Sequence, residues 1–193
     1  MGLDMYIHKT VHKYGDSNNI DDLTYDKFGR TNSYDLTTTV GYWRKANAIH
    51  RYFVKNFGDG VDESQDMYIT TDDLKNLIGV CENVIKVFVG KKLVLNKTPE
   101  NTEGVADEVT ITEDWLKDNW EKLFSYDLAE ALTEDEVKSI ADILPTQSGF
   151  FFGSTDYDVG YLYDIVKTVY MLDDIIANDK PEDYAQYTYY GSW

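Results

Sequence analysis

Leu3, Met5 and Ile7 alternate with Asp4, Tyr6 and His8. Side chains of an extended chain point to opposite faces in turn, so this start predicts a strand with one buried side. The next apolar pattern has a helical period. In YWRKANAIHRYFVKNFGDG, Trp43, Ala46, Phe53, Val54 and Phe57 fall on one face and Gly58 follows as a stop. Arg44, Arg51 and Lys55 stack on the opposite face, so the pattern predicts a helix over 43–57. TTDDLKNLIGVCENVIKVF predicts another helix, with Thr71 as N-cap, acids in the first turn and a stripe of Leu74, Leu77, Ile78, Cys81, Ile85 and Phe88. VGYLYDIVKTVYMLDDIIA carries the strongest helical signal, with Tyr161, Ile165, Val169, Leu172 and Ile176 in register.

Shorter patterns fill the intervals. QDMYIT reads as a short strand, KKLVLNK and EVTIT as two arms of a hairpin, and YAQYTYYGSW as a closing aromatic strand. Two acidic helices follow the hairpin. One starts after Thr112 and runs through Trp115, Leu116, Trp120 and Leu123; the other starts at Thr133 with the capping-box spelling TEDE and ends before Pro145. Residues 15–39 are rich in Asp, Asn, Ser, Thr and Tyr and read as a surface excursion with room for a short hairpin. Strands at both ends with helices between them predict an α+β fold. The expected architecture is a small mixed or antiparallel sheet covered by three or more helices, in a single domain over 1–193 with an acidic insertion at 98–144.

A chain of 193 residues is long enough to bury its own core. The single cysteine, Cys81, excludes an internal disulfide, and its place in an apolar stripe marks it as a small buried hydrophobe. No apolar run approaches the ~18 residues of a membrane span, and the start lacks a signal-peptide layout. MGLDMY departs from a myristoylation signal at Tyr6. The expected location is therefore the cytoplasm.

Charge changes the picture more. Lys and Arg total 18 against 35 Asp and Glu, a net −17. Residues 1–97 are balanced at 13 against 13, while 98–193 hold 5 against 22. A field of this sign repels nucleic acid and membrane surfaces and attracts basic partners. Direct nucleic-acid binding is disfavoured.

Three places could carry chemistry. In TQSGFFFGSTDYD, residues 146–158, the three phenylalanines predict either a central strand covered on both faces or an aromatic wall for a flat ring. Ser154 or Thr155 is placed to cap the following helix, with Asp156 and Asp158 at the positive end of its dipole. His50 lies on the apolar face of the 43–57 helix, where it is either a hydrogen-bonded core residue or, with Trp43 and Asn47, the polar floor of a pocket. His8 and His12 on one strand stand roughly 13 Å apart, too far to share a metal. No phosphate loop, dinucleotide fingerprint or nucleophile elbow is present in the sequence, and no metal or cofactor is expected.

MGLDMY, VGYWRKANAIHRYFV, LPTQSGFFFGSTDYD and the aromatic C-terminus together resemble a family of small bacteriophage and prophage proteins. The resemblance covers 1–12, 40–60 and 144–175, through Tyr42, Trp43, Arg44, Lys45, Asn47, His50, Thr146, Gln147, Ser148 and Gly149. The acidic stretch at about 98–143 departs from the short connection usual in that family. What the resemblance implies is a phage-encoded accessory protein acting inside the host cell.

Two functions follow as expectations. The first is an acidic binding protein that occupies the basic surface of a host nucleic-acid-handling or defence protein, for example a CRISPR effector. Its contact residues would be Glu113, Asp114, Asp118, Glu121, Glu134, Asp135 and Glu136, with Trp115 and Trp120 as aromatic anchors. The second is a pocket for a nucleotide-like molecule, binding it or acting on it, where the 43–57 helix meets the FFF stretch. Arg44, Asn47, His50, Gln147 and Ser148 would hold the ligand and Trp43 or Phe151 would stack on it.

Overall fold

The computed structural model describes residues 2–14, 33–96, 106–180 and 184–193. Strand β1 (Asp4–Tyr14) pairs antiparallel with β2 (Ser33–Arg44) on one side. On its other side it pairs with β7 (Gln186–Ser192), which carries the short outer strand β3 (Met67–Ile69). The order is β2-β1-β7-β3. Leu3, Met5 and Ile7 are buried as their alternation predicts, and the C-terminal strand closes the sheet as expected.

Strand β2 corrects the reading of two segments. Residues 33–39, expected within a surface excursion with room for a short hairpin, belong to a twelve-residue strand of the main sheet. Leu36 and its polar neighbours are exposed there, so this edge strand lacks the alternation that marks a half-buried one. Most of the excursion, 15–32, lies outside the described residues. Trp43 and Arg44 also belong to β2, in register with Met5 and Asp4. Lys45, at φ 62°, turns the chain, and α1 runs only over Asn47–Phe57. Arg44 therefore does not stack with Arg51 and Lys55 on one helix.

Helix α2 (Thr71–Phe88) buries Leu74, Leu77, Cys81, Val84 and Phe88. Its cap is Thr70, one residue earlier than expected, because Asp73 reaches back to the Thr70 N–H at 2.8 Å and completes a capping box. Helix α5 (Val159–Ala177) packs along α2. Its cap is Asp158, whose carboxylate accepts the Tyr161 N–H at 3.0 Å. Neither Ser154 nor Thr155, expected in that role, caps the helix: Ser154 closes a local turn by accepting the Asp156 N–H, and the Thr155 carbonyl accepts the Thr146 hydroxyl.

A second antiparallel sheet has the order β5-β4-β6, made of β4 (Lys92–Leu95), β5 (Glu108–Thr110) and β6 (Tyr126–Leu128). The expected hairpin is present, with Leu93 opposite Val109. Thr112 caps α3 (Glu113–Asn119), which tightens into a 3-10 turn over Trp120–Ser125 instead of continuing as one helix. Thr133 and Glu136 form the predicted capping box of α4 (Glu134–Ile143). Ile111, Leu116, Leu123, Ile140 and Leu144 join the same buried core as Leu3, Ile49 and Leu172. The fold is α+β, with two antiparallel sheets and five α-helices among the described residues.

Candidate functional site

The FFF stretch is not a strand. It is an irregular loop whose three rings have three environments: Phe150 is 80% exposed, Phe151 44% and Phe152 4%. The reason is local. The Phe152 N–H donates to the Gly149 carbonyl at 3.2 Å, Phe151 sits at φ 68° and Gly153 at φ 93°, so the backbone curls where a strand would run straight. A Cβ at Gly149 would come within 2.5 Å of the Phe152 ring, which keeps this turn tight. The two-sided buried strand and the flat aromatic wall are both replaced by one anchor and a displayed pair. Phe152 packs edge-on against His50, with ring centres 5.4 Å apart, while the Phe150 and Phe151 rings contact each other at 4.2 Å in solvent.

Asn47 ties this loop to α1. Its Nδ2 donates to the carbonyls of Ser154 at 2.7 Å and Phe152 at 3.2 Å, and its Oδ1 accepts the Gln147 N–H at 3.0 Å. The buried amide has both donors and its acceptor committed to backbone.

His50 has no exposed surface. Its Nε2 lies 2.9 Å from Asp62 Oδ2 and its Nδ1 2.7 Å from the Tyr189 hydroxyl. The carboxylate can only accept, so Nε2 carries a proton and donates it. This Tyr–His–Asp chain has the connectivity of a proton relay, but Tyr189 is also fully enclosed, and burial holds its hydroxyl well above the ordinary tyrosine range. No substrate atom reaches it. The chain instead joins α1 to β7, and a Cβ at Gly191 would sit 2.8 Å from the imidazole.

Of the other residues expected in a pocket, Trp43 is buried and donates its indole N–H to Thr168 Oγ1 at 2.8 Å. Gln147 gives its backbone N–H to Asn47, while Ser148, Phe151 and Arg44 are exposed. The 43–57 and 146–153 segments do meet. What meets there is structural hydrogen bonding, with Arg44 at the edge. Cys81 is buried, and desolvation pushes its thiol far up, which leaves it without thiolate reactivity.

The acidic residues fall on two faces. Glu113, Asp114, Asp118 and Glu121 are exposed on α3 and the 3-10 turn, and Glu134 and Asp135 are exposed at the start of α4. Glu136 is already engaged: it pairs with Lys91 at 2.5 Å and caps its own helix, and both contacts hold its carboxyl below the usual range. Trp115 and Trp120 are half-buried against the core, Trp115 edge-on to Tyr126 and Trp120 beside Tyr163 and Tyr170.

One cavity of about 320 Å³ opens beside the loop, between the β2–α1 junction, residues 153–158 and the first turns of α5. Of the residues expected in a pocket, Arg44 and Asn47 border it, and Lys45, Phe124, Asp156, Asp158 and Asp164 add the other charged groups and an exposed ring. Asp164 and Phe124 escaped the sequence reading. Asp164 is the one acid between the apolar positions Leu162 and Ile165, which is the signal that could have found it. Its burial pushes the carboxyl up to about 7, opposed by Lys167 and reinforced by Asp158. No helix among the described residues is long and apolar enough to cross a membrane. No family model, curated protein or solved structure matches the chain.

Proposed function

We propose that this chain is a phage-encoded acidic binding protein that inhibits a host nucleic-acid-handling or defence protein, of the kind a CRISPR effector represents, by occupying its basic surface. The observation that carries this reading is the separation of charge: 22 acidic and 5 basic residues in 98–193, against balance in 1–97. Six of the seven acidic candidates on α3, the 3-10 turn and α4 are exposed on ordered elements. Carboxylates held on a folded frame compete for the Lys and Arg groups that otherwise grip phosphates. A pocket built from Asn47 and His50 has less support, because the polar side-chain atoms of both serve the fold.

The test is displacement. The chain is used to capture a partner from host cells, and the partner's nucleic-acid binding is measured with and without it. Release of the nucleic acid, lost when Glu113, Asp114, Asp118 and Glu121 are reversed to lysine and weakened by salt, is the expected result. Full activity of the lysine variant would overturn the reading.

A further inference from the structure

We propose that the cavity between the β2–α1 junction and the start of α5 receives the guanidinium of an arginine side chain from the basic partner, which stacks on Phe124 and pairs with Asp164. This assignment rests on the reading of the chain as an acidic binding protein and gives that reading a specific contact.

The argument starts from what is unpaired. Asp156 accepts the Ser154 hydroxyl and Asp158 caps α5, but the Asp164 carboxyl makes no hydrogen bond or ion pair among the described residues. The Asp164 carboxylate is half-buried and feels the charge of Lys167, one turn along α5, without pairing with it, so a cationic donor entering the cavity would supply the direct contact it lacks. Its raised titration range is the electrostatic sign of the same deficit. The three aspartates do not converge as a metal site: among the described residues no group of three or more such ligands is placed to hold an ion.

The rest of the lining selects the kind of cation. Phe124 is 59% exposed at the cavity, and its ring packs against the Tyr163 ring, with centres 4.2 Å apart. Carboxylate and aromatic face together suit guanidinium, which is planar, weakly hydrated and able to donate two parallel hydrogen bonds while stacking. An ammonium is a more strongly hydrated point charge and gains less from the ring. Arg44 and Lys45 line the cavity as well, without ion-pair partners among the described residues. Their charge opposes an incoming cation, so the guanidinium depends on Asp164 and Phe124 for its hold, and neutralising Arg44 should favour it.

The experiment uses the full chain with two labelled probes of equal length and charge, nona-arginine and nona-lysine, followed by fluorescence anisotropy at physiological salt. Nona-arginine is expected to bind about tenfold more tightly than nona-lysine, as one well-formed charge-assisted contact allows. Asp164→Asn and Phe124→Ala should each erase that preference, and Arg44→Gln should strengthen nona-arginine binding. Asp164→Asn is close to isosteric, so it decides the matter even if Phe124→Ala fails to fold. Equal binding of the two peptides, or an unchanged preference in Asp164→Asn, overturns the arginine site. If binding in that case still falls on reversing Glu134 and Asp135, the acidic reading survives without it. Competition by free agmatine at the peptide's own concentration overturns the partner assignment in favour of a small guanidinium ligand. Failure of both peptides to bind even at low salt overturns both readings.

Discussion

Asn47 Oδ1 accepts the backbone N–H of Gln147 at 3.0 Å, across a hundred residues of chain, while the same side chain holds the carbonyls of Phe152 and Ser154. One buried amide thus fixes both ends of the loop that displays Phe150 and Phe151. Asn47→Ala should cost about 2–4 kcal/mol, because it strands a buried N–H and removes donors from two carbonyls. Asn47→Asp keeps the acceptor for Gln147 but turns the donor side into a repelling oxygen, so it should be no milder. Urea denaturation measures both, and an unchanged midpoint for Asn47→Ala would show that Phe152 and the Leu3–Phe151 and Thr146–Thr155 hydrogen bonds hold the loop without it.

The three adjacent phenylalanines should respond to substitution in three different ways. Phe152→Ala empties a core position beside His50 and Trp193 and should cost about 3–5 kcal/mol. Phe150→Ala, at an exposed position, should stay within about 0.5 kcal/mol. Phe151→Gly relieves a bulky residue held at positive φ and should stabilise by about 0.5–1 kcal/mol, after allowance for the added freedom of the unfolded chain. Thermal unfolding of the series orders them directly. Destabilisation by Phe151→Gly would mean that its ring packs more usefully than its exposure suggests.

The contrast explains what could be read in advance. Periodicity reports burial on regular elements, so Leu3, Met5 and Ile7, the α2 stripe and the α5 stripe were legible, as were the cysteine and histidine buried among them. Trp43 was misplaced because its spacing to Ala46 and Phe53 is helical by coincidence, and only its pairing with Met5, set by long-range sheet register, places it on a strand. The FFF run misled for a related reason. A backbone that curls at Phe151 has no period, so three identical residues gave no hint that one is an anchor and two are displayed. Asp164 and Phe124 come from different elements, and no local pattern announces that they line one cavity.

The Asp164 carboxyl titrates near 7 in the folded protein against an ordinary aspartate value of about 3.8. The folded state therefore binds this proton more tightly than the unfolded state does. Its contribution to stability is fully present below about pH 4 and is lost as pH rises through 7. Many other carboxylates also titrate below pH 5 in a chain of net −17, so the informative quantity is the difference between wild type and Asp164→Asn. The variant should gain midpoint temperature relative to wild type progressively from pH 5 to pH 8, and that relative gain should level off above it. A difference independent of pH over this range would place Asp164 in contact with water rather than in a desolvated site.

The acidic stretch at 98–144 tests how charge and fold are divided. Strand β4 lies outside it yet pairs with β5 and β6 inside it, and the Tyr161 hydroxyl donates to the Leu144 carbonyl at 2.8 Å. Lys91 is likewise tied to Glu136. Removing residues 99–144 and joining the ends with a short linker is cheap in loop entropy, since closure cost grows only slowly with length. The removed residues also take their own ordering entropy with them. What decides the outcome is the apolar surface left behind on Phe88, Leu93 and Tyr161, each of which contributes about 1.5–3 kcal/mol while buried. Their sum is comparable with the whole stability of a domain of this size, about 5–15 kcal/mol. The truncated chain should therefore lose its single cooperative transition and bind a hydrophobic dye, while reversal of the exposed acids Glu113, Asp114, Asp118 and Glu121 in the full chain should leave unfolding cooperative. A sharp transition in the truncated chain, within a few degrees of the parent, would instead show that the acidic stretch is an independent addition to a core that closes without it.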